Sequence, residues 1–372
     1  MNTNDRQWYE IANAGELDTP ALAVYTERVR ENIRALKAMV KDPSLLRPHA
    51  KTHKSGNASR MLIDEGITKF KCATIAEAEM LARAGAPDVL IAYQPVGPKV
   101  ERISELTRKY PGTKFSTVID HPEAAQAISA VFSDRGLTLP VLIDLNVGMN
   151  RTGIGVSDAP ALFSACTDLE GILVAGLHMY DGHIQDADLG VRRARFDEAF
   201  KPVLELRKKL QEQTARALTL IAGGSPTFPF LAERGDVECS PGTFIYWDKS
   251  YQTLLADQPF KPSLLVLTRV ISHPAPGLLC LDVGYKSVAC EKDLEHRLFF
   301  IGAPDARIVS QSEEHVVIAA QNAERFPLGE LFYAMPYHIC PTCAMYERAA
   351  AIANHRAEGE WTMNARDKKI TI

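Results

Sequence analysis

The chain has 372 residues, enough for two domains of ordinary size, and its 46% apolar and 24% charged residues exclude a disordered or collagen-like chain. Its 42 basic and 46 acidic residues leave a net charge of −4, so no basic excess is available for a nucleic-acid partner. With no 18-residue apolar run, no apolar core at the N-terminus and 7 cysteines, an odd number, the reading is a soluble cytoplasmic protein with no membrane partner and no disulfide framework.

Residues 21–25 (ALAVY) read as a strand, and Val29, Ile33, Leu36 and Val40 recur at helical spacing across 27–40. Leu45 and Leu46, a helix over 56–66, KFKCA at 69–73, a helix over 77–84 and the strand VLIAY at 89–93 follow. A helix over 100–110, a strand at 114–119, a helix over 122–132, a strand at 140–145 and a helix over 159–167 continue the alternation. A strand at 172–178, a long helix over 190–217 and short segments at 218–222 and 243–246 close it. About eight β–α units predict an α/β fold with a (β/α)8 TIM-like barrel over 19–254. After residue 251 the character changes. SLLVLTRVISHP, LLCLDVG, RIVSQSEEHVVIAA and WTMNARDKKITI, separated by turns such as HPAPG, predict a second, mainly antiparallel β domain over 255–372, with residues 1–18 packing on it.

RPHAKTHKS at 47–55 gathers Arg47, His49, Lys51, His53 and Lys54 without an acid, between a strand and a helix, where barrel active sites collect. It reads as a solvated basic loop, or as the seat of a lysine whose proton is loosened by neighbouring cations and whose amine suits a carbonyl carbon. DLNVGMNRTGIGV at 144–156 is an ordinary loop, or one that projects Arg151 into the barrel mouth. LHMYDGHI at 177–184 places His178, Tyr180, Asp181 and His183 at one strand end, too dense for a simple cap. AGGSPT at 222–227 and SPGTF at 240–244 follow late strands, where barrels hold phosphate through N–H groups and hydroxyls. In HICPTC at 338–343, read as extended, His338 and Cys340 present two ligands on one face, leaving zinc positions open; buried structural cysteines are the plain alternative.

Together with LDTPALAVY at 17–25, LDVGYKS at 281–287, SEEH at 312–315 and PYHICPT at 336–342, these segments resemble, in order and over nearly the whole chain, the metal-activated D-threonine aldolase and D-serine dehydratase family. Its members are pyridoxal-phosphate (PLP) enzymes with an alanine-racemase-like barrel. The resemblance implies that Lys51 bonds PLP, with His49 and Tyr180 beside it and Arg151 facing the pyridine nitrogen. It implies Gly224, Ser225, Gly242 and Thr243 at the phosphate, His183 as a further catalytic residue, and His338 and Cys340 on a divalent zinc or manganese ion. The implied activity is a PLP- and metal-dependent lyase of β-hydroxy-D-amino acids, cleaving them to glycine and an aldehyde as D-threonine aldolase does. Deamination to a 2-oxo acid and ammonia, as D-serine dehydratase does, is the alternative and uses the same parts. A homodimer is also implied, the β domain of one subunit meeting the barrel mouth of the other. A non-catalytic PLP-binding protein lacks such a β domain, and an amino-acid racemase needs a second catalytic tyrosine that no motif marks.

Overall fold

A computed structural model describes residues 6–372. They form two compact units. One takes the chain up to Ala35, Thr52–Ala58 and Thr243–Asp367; the other takes Leu36–Lys51, Ser59–Gly242 and Lys368–Ile372.

The second of these is built on parallel strands in the order Lys69–Cys72, Asp88–Ile91, Lys114–Ile119, Leu139–Asn146, Ile172–Met179, Thr219–Ala222 and Glu238–Cys239. The extended segment 46–50 joins the two edges. Leu46 bridges Cys239 and His49 bridges Lys71, both in parallel. The Arg47 N–H donates to the Cys239 carbonyl at 2.8 Å, and the Lys71 N–H donates to that of Pro48 at 2.9 Å. This eighth member closes the ring.

Apolar runs form these strands because helices cover the outside while side chains fill the inside. Leu90, Val118, Leu142 and Ile221 pack together as one interior cluster. The helices have readable ends. Thr74 caps Ile75–Ala84 by accepting the Glu77 N–H, Glu77 reaches back to the Ala73 N–H, and Gly85 ends the helix at φ +93°. At the opposite end of the ring from the strand C-termini, Arg47 is buried between Asp88 and Glu238, each 2.6 Å away, and Lys69 pairs with Glu238 as well.

The other unit carries a nine-stranded sheet. Its main path runs Arg307–Gln311, Val316–Ala319, Leu278–Leu281, Leu264–Ser272, Ala21–Tyr25, Arg348–Ala353 and Arg356–Thr362, and Leu331–Pro336 pairs with both Leu264–Ser272 and Leu298–Phe300. All pairings are antiparallel except that of Ala21–Tyr25 with Arg348–Ala353. Ile11, Ala23, Tyr25, Leu265, Leu267, Met335 and Ile352 form its core, and the Ala12 N–H donates to the His355 carbonyl.

Several sequence expectations change here; residues 52–58 and 243–254, expected in the barrel, fall in the other unit. Strand Ala21–Tyr25, expected to open the barrel, pairs instead with Leu264–Ser272. A short apolar run suits the centre of either sheet, so its pattern could not choose. The C-terminal residues 368–372 leave the β unit: the Thr371 N–H donates to Glu79, and Arg102 donates to the Ile372 carbonyl. Among the described residues no helix is long and apolar enough to cross a membrane.

Candidate active site

In the barrel unit the strand C-termini converge on Tyr180, which follows strand Ile172–Met179. The Lys51 amine lies 5.3 Å from the ring centroid, that of Lys71 5.8 Å, and the Arg151 guanidinium carbon 5.0 Å. A tyrosine face attracts cations, and three basic side chains gathered around one ring mark a place for an anion. The ring rests directly on backbone: a Cβ at Gly182 would come within 2.4 Å of it and one at Gly224 within 3.0 Å. A side chain at Gly182 would displace the ring, and one at Gly224 would crowd it. Lys51 directly follows the closing segment, and its own N–H donates to His49 Nδ1 at 3.2 Å, which turns the buried His49 ring back along the chain. Beyond Gly224, the Ser225 hydroxyl accepts the Gly242 N–H at 3.4 Å, so two of the glycine-rich loops meet.

Behind the ring lies a buried polar row. His178 Nδ1 is 2.7 Å from Asp144 Oδ1, and Lys71 Nζ is 3.2 Å from His178 Nε2. Asp144 and His178 are partners in register on adjacent strands. Burial raises the Asp144 pKa, but hydrogen bonds from His178 and Thr152 and the Lys71 charge outweigh it, so it stays below the usual value. Burial pushes the Asp181 carboxyl up to about 6, against the lowering effect of the Thr227 hydroxyl, the Lys71 charge and the Gly224 backbone. His183 stands outside this row. Its ring packs against Gly148, and burial, followed by the Arg195 charge, lowers its pKa.

The β unit holds the second set. His338 caps helix Ile339–Met345, and Cys340 is the second residue of that helix. The expected extended segment is thus a helix start, because Pro341 takes an early helical position where its missing N–H costs nothing. His338 Nδ1 contacts Glu291 Oε1. Burial would lower the His338 pKa, but the hydrogen bond and charge of Cys340, then Glu291, raise it to about 9. Cys340 Sγ lies 3.2 Å from Thr52 Oγ1 and 3.8 Å from Thr243 Oγ1. Thr52 follows Lys51 in the chain, and Thr243 follows Gly242. Asp248 accepts the Ile339 N–H at 3.1 Å. Cys343 is wholly buried. Among the described residues no three His, Cys, Asp or Glu side chains gather as a metal site.

Residues 24–250 match the family model "Alanine racemase, N-terminal domain". The chain belongs to this family. A second model, for a serine dehydratase domain, matches residues 263–352. This alanine-racemase-family chain is 29% identical to a D-threonine aldolase of Arthrobacter sp. over 359 residues, 94% of this chain and 93% of that one. It is 26% identical over 380 residues to a D-threo-3-hydroxyaspartate dehydratase of Delftia sp., covering 93% and 97%. The crystal structure of D-threonine aldolase from Filomicrobium marinum superposes with TM-score 0.88 at 25% identity, over 97% of this chain and 99% of that one.

Reading the sequence named Lys51, Arg151 and Tyr180 separately, and the structure groups them. It missed Lys71. The signal was present in KFKC: alternation puts Phe70 and Cys72 on one face and Lys69 and Lys71 on the other, so one lysine points into a ring.

Proposed function

We propose that the protein is a PLP-dependent lyase of β-hydroxy-D-amino acids, acting first as a D-threonine-type aldolase. The observation that supports it most is the Lys51 amine and Arg151 guanidinium converging on the Tyr180 ring at the mouth of an alanine-racemase-family barrel. The donor set fits the cofactor: an amine for an aldehyde, cations for an anionic ring, and a glycine, serine and N–H cradle for phosphate. When bound, PLP supplies the electron sink for cleavage at Cα.

The chain's own residues do the rest. Lys51 offers the amine that bonds the aldehyde. Gly224, Ser225, Gly242 and Thr243 hold the phosphate. Arg151 would hold the pyridine-nitrogen side of bound PLP and favour the unprotonated ring nitrogen. His49 orients the Lys51 backbone, and Tyr180 forms the wall of the site. His183, kept neutral by burial, has an unpartnered Nδ1 among the described residues and is a proton acceptor.

His338 and Cys340 fit a divalent ion. Imidazole nitrogen and thiolate sulfur favour zinc over manganese, and Glu291 on Nδ1 is the orienting carboxylate that metal-bound histidines use. With two protein ligands such an ion keeps positions for solvent and for a substrate β-hydroxyl, which it would polarise. A variant of a D-threo-3-hydroxyaspartate dehydratase has been solved in a metal-free form, which supports a metal in this group. We further propose a cytoplasmic homodimer, in line with the resemblance.

The Delftia relative keeps dehydration as the second reading. One assay separates the two. The PLP-loaded protein is incubated with D-threonine or D-serine and Zn²⁺ or Mn²⁺, and glycine with acetaldehyde is measured against 2-oxo acid with ammonia. Borohydride reduction and peptide mapping should label Lys51. Neither product pair, or a label on another lysine, refutes the proposal.

A further inference from the structure

One lysine inside the barrel has no task in this scheme. Lys71 is 2% exposed, on strand Lys69–Cys72. Its amine meets His178 on strand Ile172–Met179, four places away in a ring of eight, so the side chain crosses the lumen beneath Tyr180. The proton positions along this row follow from chemistry. Asp144 is an acceptor, because the Thr152 hydroxyl donates to one oxygen at 3.0 Å and the pKa is held low. The other oxygen therefore takes the proton of His178 Nδ1, and His178 Nε2 presents a lone pair to Lys71. Burial, then the Lys71 charge, keeps His178 neutral.

A lysine buried for stability is normally matched with a carboxylate, since an unmatched charge is costly in the core. Among the described residues no acid forms an ion pair with Lys71, and the one in line with it is insulated by an imidazole ring. The groups around its amine are Lys51 and Arg47 from the closing segment, Asp144, His178, and Tyr180 with Asp181 from the segment after His178. Burial and the Lys51 charge outweigh the two acids and bring Lys71 down to about 7. At neutral pH a large share is free amine, able to take a proton.

We infer that Lys71 is a positioning residue of this site, a proton carrier that acts through Lys51 and is aimed by the Asp144–His178 pair. Protonated Lys51 has no lone pair with which to bond a carbonyl carbon. Lys71 as free amine takes that proton, Lys51 keeps the electron pair, and Lys71 as ammonium returns the proton when Lys51 is released. The inference rests on the lyase reading, so its test follows attachment of the cofactor rather than turnover.

The full chain, stripped of cofactor, is mixed with PLP, and the growth of the bound-cofactor absorption is followed from pH 5.5 to 9.5. Wild type should show an attachment rate that rises through pH 7 and levels off. Lys71→Met should attach on the order of a hundredfold more slowly at pH 7, the usual worth of a positioned proton acceptor. Its rise near pH 7 should vanish, with no loss of thermal stability, since an apolar side chain removes the cost of the buried amine. Lys71→Arg should be as slow as Lys71→Met, because guanidinium keeps its proton, whereas a role based on charge alone would be rescued. Asp144→Asn provides a second route, independent of whether the Lys71 variants fold. An amide can donate to His178 Nδ1 and shift the ring proton to Nε2, which ties up the Lys71 lone pair and should flatten the same rise.

A wild-type pH profile retained in Lys71→Met or in Asp144→Asn overturns the inference, as does rescue by Lys71→Arg. If wild type itself forms no absorption band, the lyase reading falls and this inference with it. A normal wild-type band with an unchanged Lys71→Met profile refutes this inference alone.

Discussion

Replacing Arg47 with Met tests whether the charged plug at the base of the barrel holds the closing segment. Arg47 is 4% exposed, and its two contacts at 2.6 Å bind Glu238, 9% exposed, and Asp88, 22% exposed. Breaking a buried pair costs about 3–5 kcal/mol, because a charge is left without its partner. Two features place this site at the lower end. Glu238 keeps Lys69, and Asp88 is open enough to regain water. The guanidinium also donates to the Phe70 carbonyl at 3.3 Å, and that bond would be lost as well. The expected loss is about 3 kcal/mol, read as a lower urea midpoint at constant slope, by circular dichroism on cofactor-free protein. A loss below about 1 kcal/mol, the worth of an exposed pair, would refute the reasoning.

Two further predictions concern the ligand pair and pH. Cys340→Ser should lose bound zinc, measured by metal analysis after dialysis, while Cys343→Ser, altered at a wholly buried thiol, should keep zinc and lose stability; the reverse pattern assigns the wrong cysteine. Burial, with the Lys54 charge, lowers the His53 pKa from 6.5 to about 3, so between those values the unfolded chain binds a proton that the folded one refuses. His53 therefore contributes stability that rises with pH through that window and is lost on acidification, at up to about 1.4 kcal/mol per pH unit. Asp181, raised from 3.8 to about 6, opposes this between those two values, and its contribution is lost as pH rises through 6. His53→Gln should remove this rising contribution and leave stability falling with pH between about 4 and 6 under Asp181 and Asp248, both raised to about 6; a urea-midpoint profile identical to wild type from pH 4 to 7 would refute the assignment.

The helices were legible in the sequence because their caps are local chemistry, as Thr74, Glu77 and Gly85 show. The inner strands were legible as apolar runs of fixed length. What escaped was pairing. Ala21–Tyr25 has a pattern suited to either sheet, and only its partners Leu264–Ser272 and Arg348–Ala353 decide. Residues 46–50 hold Arg47, Pro48 and His49, which no hydrophobic periodicity marks as a strand; closure is visible only as backbone bonds to Cys239 and Lys71. The candidate site divides in the same way. Lys51, Arg151 and Tyr180 stand in recognisable loops, whereas Lys71 lies inside a strand, where the expectation is packing. His338 and Cys340 were read as extended, and Pro341 was the overlooked sign of a helix start.

The bridge between Leu46 and Cys239 also bears on how the molecule is made. Lys51 emerges early in synthesis, yet the segment that presents it cannot be locked until nearly two hundred further residues have followed, because one of its neighbours is the last strand of the ring. Such a long-range contact is slow to form and is won only after the entropy of closing the intervening loop has been spent. A nascent or truncated chain that ends before Glu238 therefore has the lysine but no fixed place for it. Capture of the cofactor then reports a finished ring, and an intermediate with every helix formed can still be blind to it.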